Sequence, residues 1–89
     1  MTDFKNQNQA VSSVIEFYRS NGYEETVLTA LQEMLAKHMH HRNNYDELAL
    51  FLDEKLQENG VHYDSANIYL LMMNALLKTS EYSDEKSFD

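Results

Sequence analysis

The sequence predicts an all-α fold, a small bundle of four short helices that forms a homodimer, and three observations carry that expectation. The 89-residue chain contains no proline and only two glycines, so little within its segments obstructs an α-helix. Both glycines follow asparagine and come directly after segments of helical period, as Ser20-Asn21-Gly22 and Glu58-Asn59-Gly60, where a left-handed residue closes a helix. An Asn-Gly pair also favours a hairpin turn, but neither pair is bracketed by the alternating apolar residues of strands. Apolar residues make up 43% of the chain, enough for a core, yet a domain of this size buries only roughly 60 to 65% of its unfolded surface and gains from a second copy.

The first helix is expected from about Gln7 to Ser20, with Val11, Val14, Ile15 and Tyr18 forming one apolar stripe. A second helix from about Glu24 to His41 carries a longer stripe through Val27, Leu28, Leu31, Met34, Leu35, His38 and Met39. Glu24 and Glu25 lie in its first turn, and Lys37, His38, His40, His41 and Arg42 lie at its end, which complements the helix dipole. Asn44-Tyr45-Asp46-Glu47 has the form of a capping box, in which Asn44 covers an open N–H and Glu47 reaches back. The third helix follows to Glu58, with Tyr45, Leu48, Ala49, Phe51, Leu52 and Leu56 inward and Asp53, Glu54, Lys55 and Glu58 in water.

Asp64 can cap a fourth helix, about Ser65 to Thr79. Between Ile68 and Leu77 only Asn74 is polar, and a helix apolar nearly all round must be covered on more than one side. A second copy is the simplest cover, through Ile68, Tyr69, Leu71, Met72, Met73 and Leu76. The domain is thus expected over residues 7–79, between a flexible N-terminal tail at 1–6 and an acidic flexible C-terminal tail at 80–89.

Charge and composition narrow the function. Seven basic against 15 acidic residues give a formal charge of −8, which opposes the electrostatic term behind nucleic-acid affinity and disfavours a nucleic-acid partner. Without cysteine there is no disulfide framework, thiolate zinc site or thiol nucleophile. The two isolated glycines form no phosphate-binding loop, and no strand-to-helix nucleophile elbow supports a catalytic serine. The adjacent acid pairs Glu24-Glu25, Asp46-Glu47 and Asp53-Glu54 diverge around their helices rather than sharing a substrate. No enzymatic activity and no cofactor are expected. The longest nearly apolar run has ten residues, against the roughly 20 that span a bilayer, and no signal-peptide pattern is present. The expectation is a cytoplasmic protein without a membrane partner.

One cluster invites chemistry. His38 and His41 stand three apart on a helix, with His40 beside them and His62 elsewhere. A metal could take two imidazoles at that spacing, with His62 or a carboxylate as third ligand. Metal-binding helices of the protease type place histidines four apart around a glutamate, so the cluster reads first as solvated imidazoles suited to a helix C-terminus. No metal is expected, and the four histidines are candidates for pH sensing instead.

The block Phe17-Tyr18-Arg19-Ser20-Asn21-Gly22, then Glu24-Glu25-Thr26, lead into the amphipathic run Val27 to Leu35. A polar break at His41 to Asn44, a second amphipathic run from Leu48 to Leu56 and the apolar closing helix complete the pattern. In these features the segment from Val14 to Thr79 resembles the enterobacterial biofilm-development and two-component connector family, the YmgB/AriR-like proteins. The resemblance implies a small helical dimer without enzymatic activity, acting by contact in stress, acid-resistance or biofilm signalling through a phosphorelay. The family has no catalytic motif to transfer. This sequence departs from it in the histidine cluster and the acidic C-terminal segment.

The expected function is that of a small acidic regulatory protein that works by protein–protein binding. Its partner-binding candidates are Asp46, Glu47, Asp53, Glu54 and Glu58, which would steer a basic surface while apolar residues at their edge supply affinity. The alternative is an immunity or antitoxin-like protein that neutralises a toxin through the same acidic helical surface.

Overall fold

A computed structural model of the chain describes residues 2–41 and 44–87, with side chains described over 9–41 and 44–82. Its four helices are α1 (Thr2–Ser20), α2 (Glu25–His41), α3 (Tyr45–Glu58) and α4 (Ser65–Ser87), and no strand occurs among the described residues. Arg42, Asn43, Phe88 and Asp89, which the sequence reading placed in the polar break and the C-terminal segment, lie outside the described residues.

The joints form where the Asn-Gly pairs stand. Gly22 and Gly60 have φ of 91° and 80°, in the left-handed region that an L side chain enters only at a cost. Tyr23 N–H reaches back to the Tyr18 carbonyl at 3.2 Å and Gly22 N–H to that of Arg19 at 3.1 Å; Val61 and Gly60 repeat the pattern to Leu56 at 2.8 Å and Gln57 at 3.0 Å. These bonds occupy carbonyls that a helix end leaves open. Each asparagine adds one more: Asn21 Nδ2 donates to the Phe17 carbonyl at 2.7 Å and Asn59 Nδ2 to that of Lys55 at 2.8 Å. At the helix starts, Asn44 Oδ1 accepts from Glu47 N–H and Asp64 Oδ1 from Asn67 N–H, both at 2.8 Å. Each satisfies one of the open donors of a first turn.

The short connections lay consecutive helices side by side. α1 packs on α2 and α4, α3 packs on the same two, and α2 meets α4 across the centre. One core results, built from Val14 and Ile15 of α1, Leu28, Leu31, Met34 and Leu35 of α2, Leu48, Leu52 and Leu56 of α3, and Ile68, Leu71, Met72 and Ala75 of α4. Tyr18 is buried with them, its ring edge-on to Tyr23 at 5.0 Å. Burial, followed by the neighbouring Tyr23, raises the Tyr18 phenol above its ordinary pKa. On the surface beside this joint, Arg19 bonds Glu25 at 2.9 Å and also pairs with Glu16, tying α1 to the start of α2.

Two sequence expectations are corrected. The outer helices are longer than their apolar stripes: α1 begins at Thr2 rather than about Gln7, and α4 runs to Ser87 rather than Thr79. Neither stretch contains a glycine or proline that would stop a helix. In α4 the core itself continues past the expected end, because Thr79 is buried with its hydroxyl bonded to the Ala75 carbonyl at 2.8 Å, and Tyr82 packs against the cluster.

The second correction concerns the self-pairing seam. Of its six candidates, Ile68, Leu71 and Met72 are buried inside one chain and Leu76 packs against the same core; only Tyr69 and Met73 are exposed. The other three helices already cover the side of α4 that the sequence reading reserved for a second copy.

Candidate functional site: a groove between α3 and α4

Along α3, Asp46, Leu50 and Asp53 recur at intervals of four and three and so form one row on the helix surface. Opposite them α4 contributes Ser65, Ile68 and Tyr69, and the connection before it contributes Tyr63. The two rows enclose an open groove of about 340 Å³, with the buried residues Ala49 and Ile68 at its base. Leu50 stands at its lip, 64% exposed.

Polar contacts hold the walls in place. The Tyr69 hydroxyl donates to Asp46 Oδ1 across the groove, fixing the phenol ring against α3. That bond, with some burial and the nearby negative charge, raises the Tyr69 phenol above its ordinary pKa. Asp53 Oδ1 accepts from Gln57 Nε2 at 3.1 Å. The lining therefore holds two carboxylates, two tyrosine rings and an apolar base, and among the described residues no basic side chain.

Basic side chains elsewhere on the described surface are already engaged. Lys55 pairs with Glu33 at 3.2 Å and Glu58 at 3.7 Å, while Lys37 lies over the Phe51 ring at 5.2 Å. Lys78 lies over the Phe17 ring at 4.6 Å and pairs with Glu81 at 3.5 Å. Arg19 is held by Glu16 and Glu25. Among the described residues, the basic side chains thus lie on other walls than the groove.

A second surface adjoins it. Leu70, Met73 and Leu77, which are 60%, 41% and 63% exposed, run with Ala66 along the outward side of α4. Their spacing of four, three and four is that of a coiled-coil seam, and no charged residue occurs from Ser65 to Leu77.

The structure divides the residues that the sequence nominated. Of the five acidic candidates, Asp46 and Asp53 line the groove; Glu47, Glu54 and Glu58 are exposed but not part of it. His40 and His41 are exposed with ring centroids 6.3 Å apart, and His38 is half-buried beside them. His62 lies beyond the far end of α3, a helix of 14 residues that spans about 20 Å, so the four imidazoles do not form one cluster. Among the described residues no three His, Asp or Glu side chains are placed to hold a metal ion. No helix among them is long and apolar enough to cross a membrane.

Leu50 and Ser65 of the groove, and Leu70 and Leu77 of the outward row, are not nominated as site residues by the sequence; Tyr63 and Tyr69 read from it as core or seam aromatics, and both are exposed. A signal for the row exists in it: the interval from Ala66 to Leu77 is a second apolar stripe, superposed on the one that enters the core. No family model, curated protein or solved structure matches the chain.

Proposed function

We propose that the chain is a non-enzymatic regulator that acts by protein–protein contact and works as a homodimer, in signalling of the stress or biofilm kind that the family resemblance implies. One observation carries this reading: a chain with a formal charge of −8 keeps a solvent-facing row of Ala66, Leu70, Met73 and Leu77 in a segment without charge. Exposed apolar rows at this spacing are contact surfaces rather than ordinary surface.

Two copies laid antiparallel, with the two-fold axis between Leu71 and Met72, set Leu70 against Met73 of the partner subunit and Ala66 against Leu77 of the partner subunit. That register also brings Lys78 towards Asp64 of the partner subunit. A parallel register would stack Lys78 on Lys78 and Glu81 on Glu81, which like-charge repulsion opposes. The α3 surface stays outside this seam and is the one that steers a basic partner. An immunity-like protein would use the same α3 surface and differ in what it neutralises.

Sedimentation equilibrium over a tenfold concentration range tests the reading. The wild-type chain is expected to be dimeric, and Leu70→Glu/Leu77→Glu, altered only at exposed positions, monomeric with unchanged helix content. Repeating the series at about pH 5.5 varies histidine charge separately. A wild-type monomer at every concentration would remove the homodimer.

A further inference from the structure

We propose that the groove between α3 and α4 docks a basic amphipathic helix of a partner protein, one that carries lysine or arginine at two positions seven residues apart with leucine-like residues between them. The proposal deepens the protein-binding reading above and rests on it.

The geometry sets each feature of that occupant. Asp46 and Asp53 are seven residues apart on α3, a separation of about 10.5 Å along the axis. A helix lying along α3 repeats its own side chains at the same interval, so cations at its positions i and i+7 meet the two carboxylates together. Between the carboxylates the wall is apolar, with Leu50 at the lip and Ala49 and Ile68 at the base. Residues at i+3 and i+4 of the incoming helix face that stretch, and leucine-like side chains there remove it and themselves from water. Tyr63 and Tyr69 supply ring faces for the aliphatic stems and charged heads of the basic residues.

Charge selects against the other occupants. Among the described residues the lining contains two carboxylates and no basic side chain, so an acidic peptide or a nucleic-acid phosphate would meet net repulsion. A second copy of this chain also fails to match, because its basic residues, Lys5, Arg19, Lys37, Arg42, Lys55, Lys78 and Lys86, include no two that are seven apart. The chain's own charge of −8 reinforces the choice of a basic partner through long-range steering.

The test uses the full chain, isotope-labelled for amide NMR, and a capped alanine-based helical peptide with arginine at i and i+7 and leucine at i+3 and i+4. Saturable shifts are expected at Leu50, Tyr63, Ser65, Ile68 and Tyr69. Asp46→Asn/Asp53→Asn should weaken binding roughly tenfold at low ionic strength, and less as salt is added. Glutamine in place of arginine in the peptide should produce the same loss without altering the protein. Asp46→Lys/Asp53→Lys should recover binding to a peptide whose two arginines are replaced by glutamate.

Absence of saturable shifts in the groove overturns the proposal, as does an affinity indifferent to both the aspartate and the arginine replacements. Shifts confined to Leu70, Met73 and Leu77 would place the peptide on the outward row, and groove shifts that grow with protein concentration alone would place a second copy there. Either result ends the basic-helix assignment while leaving the protein-contact function standing. Loss of that function shows separately, as a chain that neither self-associates nor binds the peptide at any surface.

Discussion

α2 and α4 are both rich in apolar residues, and they spend them differently. In α2 the residues Val27, Leu28, Ala30, Leu31, Met34 and Leu35 all enter the core, Met39 packs against it, and of the exposed residues only the small Ala36 is apolar. In α4 the residues Ile68, Leu71, Met72 and Ala75 enter that core while Tyr69, Leu70, Met73 and Leu77 remain in water. α2 has one apolar side because α1 and α3 flank it and α4 lies across from it. α4 packs on the other three helices on one side, and among the described residues no helix covers its outward side. This exposed apolar row is the observation on which the proposed contact surface rests.

Substitution within each helix should separate the two sides most strongly. Leu31→Ala and Met72→Ala remove fully buried side chains and are expected to cost roughly 2–5 kcal/mol each in urea unfolding. Leu70→Ala and Leu77→Ala, measured on the dilute monomer, should lie within about 0.5 kcal/mol of wild type. Equal costs on both sides of α4 would show that its outward row is packed within the chain.

A smaller effect is expected at the joints that set α2 and α4 in place. At Gly22 and Gly60 an added Cβ would meet nothing within 4 Å, so the cost of Gly22→Ala or Gly60→Ala is that of a left-handed backbone alone, about 1–2 kcal/mol in thermal or urea unfolding. Loss of a helix start is milder still. Asn44→Ala and Asp64→Ala each remove one acceptor from an N–H donor and should cost about 1 kcal/mol.

The finest effect is electrostatic and reports on the groove wall. Tyr69 ionises above its ordinary value because its hydroxyl donates to Asp46. Its contribution to stability is fully present below the unfolded tyrosine pKa and is lost as pH rises through the folded one. Absorbance titration should show two late-ionising phenols, of which that of Tyr69 moves back towards the ordinary range in Asp46→Asn, whereas that of Tyr18, shifted chiefly by burial, should not move.

These effects also mark how far the sequence could be read. Both joints were legible because their causes are local: Asn21-Gly22 and Asn59-Gly60 close helices by bonds within six residues, and Asn44 and Asp64 cap the next turn. The stripes of α1 and α2 were legible because each has one apolar side; that of α3 was legible at Leu48, Ala49, Leu52 and Leu56 but not at Tyr45, expected inward and found 52% exposed at the first turn of the helix. α4 was not, since period alone identifies its apolar residues but not which of them the neighbouring helices cover. Met72 and Met73 are adjacent and chemically identical, yet one is fully buried and the other 41% exposed. The groove was half legible: the acidic residues of α3 were nominated, but Asp46 and Asp53 are distinguished from Glu47, Glu54 and Glu58 only by where α4 lies.

Crosslinking through an introduced thiol tests most directly whether the outward side of α4 is a contact surface, because the chain has no cysteine of its own. Met73→Cys, on the outward row, and Ala36→Cys, on the exposed side of α2, are compared under the same mild oxidant at equal concentration. Rapid and nearly complete disulfide-linked dimer for Met73→Cys, with little for Ala36→Cys, is the expected result. Equal and slow crosslinking at the two positions would contradict it, leaving α4 with an apolar outer side that no second copy covers.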